Sequence, residues 1–254
     1  MILDNLTDEE KYFASRVREY FREAANGGRV RFVGFLDGRR QEIAKVIAGR
    51  ERYGKYMLYG GYDGSERKYL GVFPEYMEED AESFPITALT LTFRKEEPLS
   101  HRDFLGAVLG LGIKRECVGD ILVGEDRCVI FLSDAAAELV KNELEKVGRA
   151  GVKIAQGIVG ELPEGAGYEE ISATAASVRL DAIIAVLLNI SREKSSQIIK
   201  SGAVSVNFEE IKRVADEVCD GDIISVRASG RYVIDSVGEQ TKKGRIKVKA
   251  RKNK

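Results

Sequence analysis

Residues 177–207 read SVRLDAIIAVLLNISREKSSQIIKSGAVSVN, two short helical periods followed by a strand, and the contrast between the two helices decides how this part of the chain folds. Leu180, Ile183, Ile184, Leu187 and Leu188 recur at the i, i+3, i+4, i+7, i+8 spacing of a single core-facing stripe. Asn189 ends that helix, Ser191 caps the next one, and Gly202 takes the position just past its C-terminus. The second helix is poorly built for a core. Its apolar residues are Ile198 and Ile199, and the rest is hydroxyls, Arg192, Lys194, Gln197 and Lys200. Such a helix is anchored by its two isoleucines and leaves its other face on the surface. Arg192, Ser196 and Lys200 lie four residues apart and stack on one side, above a helix N-terminus with free N–H groups and a positive dipole end. Arginine there can clamp a phosphate with two parallel hydrogen bonds, while lysine supplies a point charge. A merely solvated charged face is an equal reading on spacing alone. The stretches 211–218, 222–227 and 230–237 then predict a small sheet.

At 254 residues the chain suits one large domain or several small ones. The formal net charge of -1 is unevenly spread: from Ala176 to Lys254 there are 16 Lys and Arg against 10 Asp and Glu, so the C-terminal part is basic and the rest acidic. The three cysteines, Cys117, Cys128 and Cys219, are widely spaced without a C-x-x-C pair, and His101 is the single histidine. Neither a disulfide framework nor a zinc site is predicted, and no cofactor is expected. The first residues lack the basic-then-apolar pattern of a secretion signal, and no run approaches the ~20 apolar residues of a membrane span. The expected location is cytoplasmic.

Toward the N-terminus, Thr7 followed by three acids starts a helix in which Phe13, Val17, Tyr20 and Phe21 share a face and Gly27 and Gly28 act as the stop. A strand at 29–37, a helix near 38–51 and a hairpin around Gly60 to Gly64 complete an α/β unit, and 74–85 reads as a connection. The next segment runs strand, helix, strand, strand, helix, strand: 86–93, a helix capped by Ser100 with Asp103 at its third position, 117–124, 127–133, a capped helix over 134–148, and 151–160. That βαββαβ order is the split ferredoxin-like arrangement, shared by RNA-recognition modules and by many enzymes. Its central strands offer Phe131 and little else for base stacking. The expected class is therefore α+β in three domains: an N-terminal α/β unit at 1–80, a ferredoxin-like, RRM-like domain at 81–165, and an RNA-binding domain at 172–254 with a basic tail.

Residues 177–207 with CDGDIISVRASGR after them resemble the RNA-binding domain named after small-subunit ribosomal protein S-four, the αL motif. Its Arg-Leu-Asp opening, Ser-Arg helix start, Lys-x-Gly-x-Val-x-Val-Asn turn and Gly-Asp before the following strand stand here at Arg179 to Asp181, Ser191 and Arg192, Lys200 to Asn207, and Gly221 to Asp222. The resemblance implies that Arg179, Ser191, Arg192, Lys194, Lys200 and Asn207 line a surface that grips structured RNA. Arg227 and Arg231 are candidates beside them. Eight Lys and Arg after Thr241, among them Lys242, Lys243 and Arg245, form a tail without an acid, which suits polyanion binding by counterion release, with part of the tail as an edge strand.

The rest of the chain is similar to the bacterial YlmH proteins through GGYDGSERKYLGVFP, LSHRDFLGAVLGLGIKRECVGDI and TKKGRIKV. That resemblance implies a factor of ribosome-associated quality control that binds the large subunit carrying peptidyl-tRNA, through rRNA and with tRNA as a further candidate, and supports non-templated tailing of the stalled chain; the residues offer no credible catalytic set, so a non-enzymatic protein is expected, and a monomer. The family has also been associated with cell division, and a photosynthetic relative with photosystem II. Two other classes stay open: a targeting module of an RNA-modifying enzyme, and a protein-interaction factor in division or membrane assembly. His-Arg-Asp at 101–103 lacks the companions of a kinase catalytic loop and is explained by helix capping, which leaves His101 as either a structural residue or an RNA contact. The glycines of 60–64 lack the Gly-Lys-Ser end of a nucleotide loop and read as a tight turn.

Overall fold

The computed structural model describes residue 3 and residues 6–163, 168–242 and 244–253, and the chain divides into two compact units, Met1–Gly165 and Ala166–Lys254. The first unit opens with α1 (Asp8–Ala25), started by a capping box in which the Glu10 N–H donates to Thr7 Oγ1 at 3.2 Å and the Thr7 N–H to Glu10 Oε2 at 2.8 Å. β1 (Arg31–Leu36), α2 (Gly38–Glu51), β2 (Tyr56–Tyr59) and β3 (Lys68–Val72) follow, with the strands in the antiparallel order β1-β3-β2. Phe13, Val17 and Phe21 of α1 and Ile43 and Ile47 of α2 are buried against Leu70 and Val72 of this sheet. Each such side chain contributes about 1.5–3 kcal/mol on leaving water.

The unit continues with β4 (Ile86–Thr92), α3 (His101–Gly110), β5 (Val118–Val123), β6 (Arg127–Ser133), α4 (Asp134–Glu143), a tiny hairpin of β7 (Lys146–Val147) and β8 (Ala150–Gly151), and β9 (Lys153–Gln156). The larger sheet has the order β5-β6-β4-β9, each neighbour antiparallel. The expected helix over 134–148 stops at Glu143, because Leu144 turns extended (ψ 101°) and Lys146–Val147 pairs with Ala150–Gly151 in a hairpin whose turn holds Gly148 at φ +59°. Leu89, Leu91, Ile130 and Leu132 face α3 and α4. The opposite face carries Val129 and Phe131, which join Phe35, Tyr69 and Phe73 of the first sheet in a common core. Phe84, inside the stretch read as a connection, is buried there too. Gly61 sits at the contact with φ +101°, where a Cβ would strike the Phe131 ring. Asp120 of β5 ties down the Gly60–Gly64 turn, accepting from the Tyr62 hydroxyl (2.9 Å) and from the N–H groups of Glu66 (2.7 Å) and Arg67 (3.0 Å).

The second unit comprises β10 (Tyr168–Ala175), α5 (Leu180–Leu187), α6 (Arg192–Lys200), β11 (Val204–Val206), β12 (Glu209–Glu210), β13 (Ile223–Val226), β14 (Gly230–Gln240) and β15 (Ile246–Asn253). Its sheet order is β10-β15-β14-β13-β11-β12. Three expectations are corrected. Residues 211–218 hold no strand, only a bridge between Arg179 and Glu217; Val204–Val206 supplies that part of the sheet instead. The glycines and prolines of 161–170 suit a connection, yet from Tyr168 the chain already runs in β10. The basic tail is not an edge strand: β15 lies between β10 and β14, because Ile246, Val248 and Ala250 alternate into the core while the cations between them face out.

Candidate nucleic-acid interface

α5 ends where expected, with Asn189 in the left-handed region (φ 52°) and the Ile190 N–H bonded back to the Ala185 carbonyl at 2.9 Å. Ser191 caps α6, its hydroxyl accepting from the Lys194 N–H at 3.2 Å. The inner side of α6 is set by two residues four apart. Ile199 is fully buried with Ile198 packed beside it, and Ser195, also fully buried, donates its hydroxyl to the Asp181 carbonyl at 2.8 Å. That hydrogen bond fixes α6 on α5.

Asp181 is the hub of the site. Its buried carboxylate accepts from Arg192 Nε (2.9 Å) and Nη2 (3.1 Å) and from Arg179 Nε (3.2 Å). Burial alone would lift this carboxyl, but the hydrogen bonds from Arg192 and Arg179 outweigh it and hold its pKa below the usual carboxylate value. Arg192 is correspondingly raised by its bond to Asp181. The arrangement revises the role expected of Arg192, because the two-bond edge that would clamp a phosphate is taken up by Asp181. What remains exposed is the outer part of each guanidinium, held side by side as a fixed pair.

The other candidates divide into free and committed groups. Lys194 and Lys200 are exposed and form no ion pair among the described residues. The Ser196 hydroxyl is bonded to the Arg192 carbonyl at 3.0 Å. Asn207 is structural: with Phe208 it makes the two-residue turn between β11 and β12, both at positive φ, and its amide donates to Asp222 (2.7 Å) and accepts from the Ile223 N–H (3.0 Å). Arg227 lies exposed in the turn after β13. Arg231 stacks over Phe208, 5.5 Å from the ring centroid. Lys242 is exposed, while Lys243 lies outside the described residues. Arg245 is held by Thr174, its Nε on the hydroxyl at 3.1 Å and its Nη2 on the carbonyl at 2.6 Å.

The tail is less free than its composition suggests. Lys247 pairs with Glu239 at 3.0 Å and Arg251 with Asp235 at 2.8 Å, both acids supplied by β14. Asp181 and Ser195 were not among the sequence candidates. The signal available was slight, an acid inside Arg-Leu-Asp and a serine one helical turn before Ile199. In the first unit, Phe131 is buried and stacked on Tyr62 with centroids 4.8 Å apart, so the sheet face that RNA-recognition modules use is closed. His101 begins α3 on the surface, where partial desolvation and then Arg115 hold its pKa below the ordinary imidazole value.

Over 249 residues the chain is 32% identical to "Ribosome-associated protein quality control protein P2" of Bacillus subtilis (strain 168), covering 97% of this chain and 96% of the relative. The chain belongs to the YlmH family. In this YlmH protein, residues 80–160 match the family described as "Putative RNA-binding domain in YlmH", and residues 178–224, which hold Asp181 and all of α6, match the S4 domain. A solved structure titled "Cell division protein ylmH from Streptococcus pneumoniae" shares the fold over 61% of the YlmH chain described here and 94% of its own, with a TM-score of 0.53 at 21% identity. Among the described residues, no helix is long and apolar enough to cross a membrane, and no cluster of three His, Cys, Asp or Glu could hold a metal ion.

Proposed function

We propose that this protein is a non-enzymatic RNA-binding factor that docks on the large ribosomal subunit through α6 and acts in ribosome-associated quality control. The observation that carries the reading is the geometry of α6: Lys194 and Lys200 stand free on a helix whose position is fixed from beneath by Ser195, Ile199 and the Asp181 clamp. Phosphate contacts position a protein on RNA and supply most of the salt-dependent affinity, so fixed cations with no internal acid suit that task. The name of the Bacillus subtilis relative supports the ribosome and the quality-control process. Large-subunit rRNA is the expected target, with tRNA as a second contact, for a cytoplasmic monomer. Burial of Cys128 pushes its thiol pKa up, which supports a non-catalytic role for that residue.

The domain plan that accompanies this reading is 1–80, 81–165 and 172–254, with a ferredoxin-like middle domain. The strand order β5-β6-β4-β9 supports that assignment, since the split βαβ pattern places the first and third strands side by side at the centre.

The test is co-sedimentation of the full chain with separated small and large subunits across a salt series, beside a Lys194→Glu, Lys200→Glu variant. Arg192 is left intact because its loss would strand the buried Asp181 carboxylate. Binding to large subunits that weakens steeply with salt, and that drops by about tenfold or more in the variant with a shallower salt slope, is the expected result. Equal affinity of variant and wild type for large subunits would refute docking through α6.

A further inference from the structure

We infer that Phe208, stacked on Arg231, is a platform for one unpaired base of the RNA that docks on α6. The inference rests on the reading that the second unit binds RNA through that helix. It adds a contact to a base where α6 offers contacts to phosphates.

Phe208 stands where the backbone disfavours it. The turn between β11 and β12 consists of Asn207 and Phe208 alone, since Val206 pairs directly with Glu209, and the two residues take φ 49° and 66°. A two-residue turn with both φ positive is the type that Asn-Gly fills best. Asparagine tolerates the left-handed region, whereas a phenylalanine there crowds its Cβ against a backbone carbonyl oxygen. The Asn207 amide, bonded to Asp222 and to the Ile223 N–H, holds the turn in this form. A strained residue that its surroundings keep in place points to a task for its side chain.

That task is not core packing. Of the ten phenylalanines in the chain, all but Phe208 lie in or against a buried hydrophobic core. Phe208 is only partly covered, and its ring contact among the described residues is the Arg231 guanidinium, 5.5 Å from the centroid. Ser205 pairs with Ser225, and Ser225 with Arg231, so only small side chains separate the turn from the arginine on that face of the sheet. A phenyl ring and a guanidinium held together form a flat surface on which a splayed-out base can stack.

The neighbouring charges favour a base over a phosphate at this corner. Arg231 and Lys212 are matched by Glu209 and Glu210, with Lys212 on Glu210 at 3.0 Å, so no net charge is offered. The phosphate-binding cations lie close by on α6. Gly202, two residues past Lys200, is so near β12 that a Cβ there would come within 2.8 Å of a Glu210 carboxylate oxygen. Two residues of chain span at most about 7 Å, which puts Phe208 within reach of a strand held at Lys200.

The test uses the full chain with two probes, intact large subunits and deproteinised large-subunit rRNA, in a salt series. Phe208→Gly removes the ring and relieves the turn, Phe208→Tyr keeps the ring, and Lys194→Glu, Lys200→Glu reports on α6 separately. Phe208→Gly is expected to melt at or above the wild-type temperature, yet to bind naked rRNA at least about fivefold more weakly. Its salt slope should match wild type, since no phosphate contact is lost, and Phe208→Tyr should bind as wild type does. Wild-type affinity in Phe208→Gly, with loss in the α6 variant, would overturn the platform and leave docking through α6 standing. A weaker Phe208→Gly that also melts lower would make Phe208 a packing residue and overturn the inference, as would a shallower salt slope, the mark of a phosphate contact. Weakening on intact subunits but not on naked rRNA would assign the ring to a ribosomal protein and overturn it too. Loss in Phe208→Gly beside wild-type affinity in the α6 variant would keep the base contact and overturn docking through α6. No wild-type binding to either probe would overturn both.

Discussion

Replacing Asp181 with asparagine keeps the shape of the hub and removes its charge. The carboxylate holds three charge-assisted hydrogen bonds, two from Arg192 and one from Arg179. An asparagine carbonyl at the Oδ1 position keeps the bonds from Arg192 Nη2 and Arg179 Nε, at about half strength without the charge, and its amide leaves Arg192 Nε without an acceptor, so the equivalent of about two is lost. Bonds of this kind are worth about 1.5–3 kcal/mol when dry, but the Arg179 and Arg192 side chains are 40% and 49% exposed, and water takes over part of each lost contact. Discounted to about 1 kcal/mol each, the loss is about 2 kcal/mol. In a unit of this size that lowers the unfolding midpoint by about 10 °C.

The effect carries a pH signature. The folded Asp181 carboxyl titrates below its unfolded value of about 3.9. Its contribution is therefore complete at neutral pH and disappears as pH falls through the lowered folded pKa. Calorimetry of the full chain at pH 7 and again near pH 3, with the transition of the second unit assigned by amide exchange on β13 to β15, should show a gap between wild type and Asp181→Asn that is large at pH 7 and narrow in acid. A midpoint change under about 2 °C at pH 7, or a gap that persists undiminished in acid, would refute the assignment of Asp181 as the organising charge.

Phe131→Leu should cost about 1–2 kcal/mol in the stability of the first unit through lost packing against Tyr62 and the first sheet, yet leave RNA affinity unchanged. An exposed stacking aromatic would instead lose about 1–3 kcal/mol of binding per base, so a binding defect with intact stability contradicts the closed sheet face. His101 binds fewer protons folded than unfolded below its ordinary pKa, since its folded value is depressed by desolvation and by Arg115 despite Asp120 and Glu66. Stability of the first unit should therefore decline as pH falls from about 7 to about 5.5. As His101 is the single histidine, His101→Gln should flatten that slope, and an unaltered slope would place its origin elsewhere.

The sequence by itself determined the elements whose cause is local. The stripe from Leu180 to Leu188, the caps at Thr7 and Ser191 and the stop at Gly202 depend on neighbours within a few residues, and all appear in the structure. The four αL signatures were legible for the same reason, and with them the family. Tertiary structure decided which side chains remain available. Arg192 and Asn207 look like ligand-binding groups in a linear reading, but partners eleven and fifteen residues away, Asp181 and Asp222, occupy them. The tail contains no acid of its own, yet β14 supplies Glu239 and Asp235 across the sheet, and the tail becomes an inner strand because β10, with few large apolar residues to announce it, pairs along its other side. The Phe131 face was closed by a sheet built from residues far earlier in the chain. Charge and aromaticity are properties of residues and can be counted; whether they face solvent or a partner is a property of pairs, and long-range pairs are set only when the chain packs.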